Sequence, residues 1–194
     1  MDIRRIWIKI FLTRAACYVM QMVRGRKNPL HFGLPARLRK ARRAAELTPN
    51  AVVQQMGGDQ ALVREIEDGQ RLPTVGTIAR LAAVLGVMPA WLAYGIGEPS
   101  TGQKSATSHG MGARLQDARL QAGHSKAAVA RLVDLSPSAY AKIENGGQSG
   151  VDVIESLAKA LGVSPGWLAF GMGPQVVTLP RRGRPPAQSA ADAR

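Results

Sequence analysis

The chain has 194 residues, 45% of them hydrophobic and 5% aromatic, which suits one or two small domains and argues against one large enzyme core. A formal net charge of +13 points to a polyanionic partner. The single cysteine, Cys17, excludes an intrachain disulfide and any multi-cysteine zinc site, and three scattered histidines, His31, His109 and His124, argue against a metal centre or other cofactor site.

In chain order, residues 1–32 form a basic, apolar N-terminal segment with seven basic side chains against one acidic. Lys9 and Arg14 break its apolar run, and each would cost about 2.5–3.5 kcal/mol near a bilayer centre, so no membrane span is expected of it and membrane contact is not the favoured reading. The broken run, with no small-x-small site after it, also fits a secretory signal poorly. Two readings stay open: a basic amphipathic helix that docks on the first copy, on a partner or, the less favoured case, on a membrane surface, and sequence upstream of a true start at Met20 or Met22.

From residue 33 onward the chain repeats itself. LPARLRKARRAAELT (34–48) lies over MGARLQDARLQAGHS (111–125) at an offset of 77, and LAAVLGVMPAWLAYGIG (81–97) over LAKALGVSPGWLAFGMG (157–173) at an offset of 76. One residue is therefore gained or lost between Leu72 and Leu81. Two copies result, at 33–97 and 110–173, each of about 65 residues, a size at which helical domains can fold alone.

Each copy reads as five short helices. In the first, Leu34, Leu38, Ala41 and Ala45 form one apolar stripe, and Arg37, Arg39, Lys40, Arg42 and Arg43 occupy the other faces. Thr48 caps a second helix with Pro49 at its first position, ended by Gly57-Gly58. Asp59 caps a third that ends at Gly69, Thr74 starts a fourth that runs to Gly86, and Pro89 opens a fifth containing Trp91 and Leu92. The matching signals in the second copy are Ser125, Ser136, Gly146, Gly162 and Pro165, with Trp167 and Leu168 in its last helix. Trp91, Trp167 and Tyr140 are expected in the core. No alternating strand pattern occurs, so the expected class is all-α, two tandem five-helix domains with basic tails.

Between the copies, EPSTGQKSATSH (98–109) has the composition of a flexible linker. A coil of about 12 residues spans roughly 20 Å, or about 40 Å fully stretched. Residues 174–194 form a basic tail expected to be disordered. Most of the charge excess lies in the two tails, since 33–99 carries eight basic against six acidic residues and 110–175 six against five.

Taken together, ARLQDAR, SKAAVARLVDLSPSAYAKIENG, LAKALGV and PGWLAFG in that order resemble the phage repressor and Cro family of helix-turn-helix DNA-binding domains. The resemblance implies that helix three lies in the major groove of double-stranded DNA, with Pro137, Ser138 and Lys142 facing base edges. It further implies phosphate contacts from Ser125, Lys126 and Asn145, where Lys126 replaces the family's usual glutamine, and structural ion pairs Arg119 with Glu144 and Arg42 with Glu67. The first copy departs from the pattern. Glu65 stands where Lys142 stands and Asp68 where Asn145 stands, and carboxylates there would be repelled by DNA. Gln60 still suits base reading and Arg64 a phosphate. The tail's PRRGRPP resembles the core of an AT-hook, Arg182, Gly183, Arg184 and Pro185, which would lie in an A·T-rich minor groove; a solvated basic tail is the preferred reading of so short a match.

The expectation is therefore a cytoplasmic, non-enzymatic transcription regulator, a repressor, whose second copy is the better DNA reader. The alternative is a protein-interaction adaptor or antitoxin-like partner. Half-sites one helical turn apart lie about 34 Å from each other, so one chain would act as a pseudo-dimer only with its linker extended, and a homodimer fits as well.

Overall fold

The computed structural model describes residues 28–99 and 110–176. A 3-10 turn, Leu30–Gly33, precedes ten α-helices in those residues: α1 (Leu34–Ala44), α2 (Pro49–Met56), α3 (Leu62–Glu67), α4 (Val75–Leu85), α5 (Pro89–Tyr94), α6 (Met111–Gln121), α7 (Lys126–Leu132), α8 (Pro137–Glu144), α9 (Val151–Ala160) and α10 (Pro165–Phe170). The chain is all-α, and among the described residues the sole β-feature is an isolated antiparallel bridge between Thr74 and Gly150.

Local chemistry sets most helix ends. Thr48, Thr74, Ser125 and Ser136 each take extended backbone and accept a hydrogen bond from the N–H three residues on, which satisfies a donor that the helix cannot. Gly86, Gly95 and Gly171 end α4, α5 and α10 in the left-handed conformation. The turn between helices two and three needs a positive φ in both copies: Gly57 supplies it at 70° in the first and Asp134 at 57° in the second.

Two elements differ from expectation. The first stripe ends one step early: Leu34, Leu38 and Ala41 are buried, while Ala45 lies beyond the last turn and is exposed. Asp59 does accept a side-chain bond, but from Ala61 N at 3.1 Å, and its carbonyl takes the Leu62 N–H. This tight turn consumes the expected first helical residues, so α3 begins only at Leu62 and Gln60 precedes it.

The cores are built alike. Leu38, Val52, Val63, Ile78 and Leu92 in the first copy and Leu115, Val129, Tyr140, Ile154 and Leu168 in the second are completely buried. Trp167 is buried as expected, whereas Trp91 is only partly covered and packs on the core's edge.

The two copies also pack directly on each other, through residues that the repeat makes equivalent. Val75 N donates to Ser149 O at 2.9 Å and Val151 N to Pro73 O at 3.2 Å, a reciprocal pair at an offset of 76. The extra residue of the first copy therefore falls between Gly69 and Pro73. Further along, α5 lies against α10, with the Tyr94 ring 6.4 Å from that of its counterpart Phe170. A Cβ on Gly166 would sit 3.1 Å from the Cβ of its own counterpart, Ala90, so small side chains let the helices approach. Tyr94 donates its hydroxyl to Val151 O at 3.1 Å, and burial pushes that phenol's pKa up, so it stays a donor.

On one side the 3-10 turn closes over this junction. Glu155 accepts from Leu30 N at 2.6 Å and His31 N at 3.1 Å, and its carboxylate meets His31 Nδ1 at 2.6 Å. Burial would raise the Glu155 carboxyl's pKa, but the His31 and Leu30 contacts outweigh it and hold it below the usual carboxylate range.

Candidate nucleic-acid interface

Helix α8 sorts its side chains cleanly. Tyr140, Ile143 and Glu144 turn into the core, while Pro137, Ser138, Lys142 and the following Asn145 are exposed on the outer side. Pro137 sits at the first helical position and Ser136 caps Ala139 N at 3.1 Å, so the outer face starts from a rigid end. The Ser138 hydroxyl lies 3.1 Å from that of Ser136. At the start of α7, exposed Ser125 accepts from Ala128 N at 3.2 Å.

Beneath this face lies a buried charged cluster. Arg119 Nε and Nη2 each meet one oxygen of Glu144 at 3.1 Å, and Arg119 Nη1 donates to His124 O. Lys126 Nζ reaches the same carboxylate at 3.2 Å from a half-exposed position. Burial would push the Glu144 carboxyl up; the bonds from Arg119 and then Lys126 prevail and keep it below the ordinary range. One direction of the Lys126 ammonium is thus committed inside the domain, so any anion it met would share it with Glu144.

In the first copy the same frame holds different charges. Arg42 Nε and Nη2 meet Glu67 at 2.6 and 2.9 Å, and Arg42 Nη1 donates to Leu47 O. Exposed Gln60 lies before α3, and Arg64 Nη2 donates to Asn50 at 3.3 Å. The two acidic groups expected to repel DNA are both paired. Arg71 lies 3.1 Å from Glu65 and 3.6 Å from Asp59, and Arg39 lies 3.3 Å from Asp68. In the second copy Lys142, Ser136, Gln116 and Asn145 stand for Glu65, Asp59, Arg39 and Asp68, and the shorter Gly147-Gln148 turn has no counterpart of Arg71's charge, so the added carboxylates of the first copy come with arginines. These pairs are largely exposed and add little stability, yet they offset the repulsion that a bare carboxylate would exert.

Arg37, read from sequence as part of a polar helix face, is structural, and so is its counterpart Arg114. Arg37 donates to Leu92 O at 2.9 Å and Ala93 O at 2.7 Å, and Arg114 to Leu168 O at 3.0 Å and Ala169 O at 2.9 Å. Each guanidinium ties helix one of its copy to the carbonyl end of helix five, where orphan acceptors and the helix dipole favour a cation. Burial lowers the pKa of both. Their recurrence at an offset of 77 was the available signal.

Residues Arg182, Gly183, Arg184 and Pro185, and most of the N-terminal segment, lie outside the described residues. Among the described residues no group of three or more His, Cys, Asp or Glu could hold a metal ion, and no helix is long and apolar enough to cross a membrane.

Comparison with known proteins matches residues 34–93 to the family described as a helix-turn-helix domain and residues 115–168 to the family described as helix-turn-helix. No curated protein and no solved structure matches the chain.

Proposed function

The chain carries two helix-turn-helix domains of the repressor/Cro type in tandem, and from this premise we propose that it is a cytoplasmic, sequence-specific transcriptional regulator, a repressor that occludes its operator. The domains are assigned to 33–97 and 110–173. Helix α8 enters the major groove, with Pro137, Ser138 and Lys142 against base edges and Ser125, Lys126 and Asn145 against phosphates. Gln60 and Arg64 play the lesser parts in the first copy. No catalytic role is assigned.

The observation that carries this reading is the division of α8: its inner residues are held by the core, and Pro137, Ser138, Lys142 and Asn145 are left outward with Lys142 the cation among them. Lys142→Glu reverses that charge at an exposed position and should abolish selective reading by α8 while leaving the helical circular-dichroism spectrum unchanged. Affinity of the unaltered chain should fall steeply between 50 and 200 mM salt through counterion release. A salt-independent affinity, or a motif left unchanged by Lys142→Glu, would refute the assignment.

A protein-interaction adaptor or antitoxin-like partner is the second reading. It is favoured by the α3 side alone, where Glu65 and Asp68 present carboxylates in ion pairs in place of Lys142 and Asn145. Such an adaptor would keep its partner through Lys142→Glu.

A further inference from the structure

We infer that a single chain reads an asymmetric bipartite duplex, two unlike half-sites centred one helical turn apart, rather than two chains reading a palindrome. This deepens the DNA-binding reading above and rests on it.

The junction between the copies has the form of a closed two-fold interface. Its backbone bonds, Val75 N to Ser149 O and Val151 N to Pro73 O, exchange under the repeat offset, as do Tyr94 with Phe170 and Ala90 with Gly166. In a symmetric dimer the same patch of each subunit meets its own copy. Here each copy's patch is already covered by the other copy of the same chain, so it is not open to a second chain.

The bridge also limits the spacing of the two reading helices, a role that the sequence left to the linker. Thr74 follows the end of α3 by seven residues and Gly150 follows the end of α8 by six. Even fully extended, those segments reach about 25 and about 22 Å. With about 5 Å across the bridge and half of each short helix, the helix centres lie at most about 63 Å apart. One turn of duplex, about 34 Å, falls within that limit, and two turns, about 68 Å, do not.

The two readers are chemically different. Gln60, Ala61, Glu65 and Asp68 stand where Pro137, Ser138, Lys142 and Asn145 stand. A dyad that relates unlike readers selects unlike half-sites. The junction is itself asymmetric, since Tyr94 bonds Val151 O and Phe170 has no hydroxyl to return the bond.

The test is selection from random duplex DNA by the purified full chain, with the stoichiometry of the selected complex measured by native mass spectrometry. Two dissimilar half-sites 10–10.5 base pairs apart, bound by one chain, are expected. Lys142→Ala should then reduce discrimination in one half only, and Gln60→Ala in the other, each by about 5- to 150-fold. A palindrome holding two chains, or a single half-site bound by one, would overturn the inference and leave DNA reading intact. No enriched sequence from folded protein would instead overturn DNA reading itself, and this inference with it.

Discussion

Arg119→Met strands a buried charge, and the structure sets the size of the loss. The Glu144 side chain is 2% exposed and takes both oxygens' main bonds from Arg119 at 3.1 Å, with Lys126 at 3.2 Å as its other cation. Removing one partner of a buried ion pair costs about 3–5 kcal/mol. Lys126 remains, which favours the lower end, but the His124 carbonyl loses the Arg119 bond, worth about 1 kcal/mol. The net expectation is about 3–4 kcal/mol, a large share of the roughly 5–15 kcal/mol that holds a domain together. Urea unfolding followed by circular dichroism measures it, provided the slope is unchanged between variants. The companion Arg119→Met/Glu144→Leu removes both charges and should recover most of the loss, because replacing a buried pair by apolar groups is often neutral or stabilising. A single-variant cost below about 1 kcal/mol, or a double variant no better than the single, would refute the view that Arg119 acts by compensating Glu144.

The same carboxylate predicts a pH response. Its folded pKa is depressed, so its contribution is complete above the ordinary carboxylate range and disappears as pH falls through the folded value. Glu144→Gln should be less stable than the natural chain at neutral pH, and the gap should close on acidification; a gap that widens would contradict the sign. Asp134→Gly relieves a left-handed residue at the site where the first copy has Gly57, and should raise stability by about 0.5–1 kcal/mol, read as a rise of a few degrees in melting temperature. Gly112→Ala would drive a Cβ into the Glu144 carbonyl oxygen and part α6 from α8, costing about 1–3 kcal/mol in the same urea assay.

Much of the fold was legible because its determinants are local. A serine or threonine cap meets an N–H three residues away, and an apolar stripe recurs every three or four, so Thr48, Thr74, Ser125 and Ser136 mark real helix starts. The boundaries that slipped, at Ala45 and at Asp59, are those where a turn competes with one more helical residue. The site was less legible. Glu65 and Asp68 read as bare carboxylates and Lys126 as a free cation, yet Arg71, Arg39 and Glu144 hold them.

The sequence by itself determined an all-α chain in two repeated halves and the caps and turns of each half, since these follow from residue type and short spacing, while the outward place of Lys142 came from the resemblance of its motif. Only the tertiary structure decided which cations are spoken for and how the halves meet. Arg37 and Arg114 find carbonyls about 54 to 56 residues away, Glu155 finds the turn at Leu30 and His31 about 125 residues back, and Tyr94 meets Phe170 across the junction. No short-range pattern encodes such pairs. They arise where two packed surfaces exclude water, and each polar group left between them must find whatever partner the packing brings within reach.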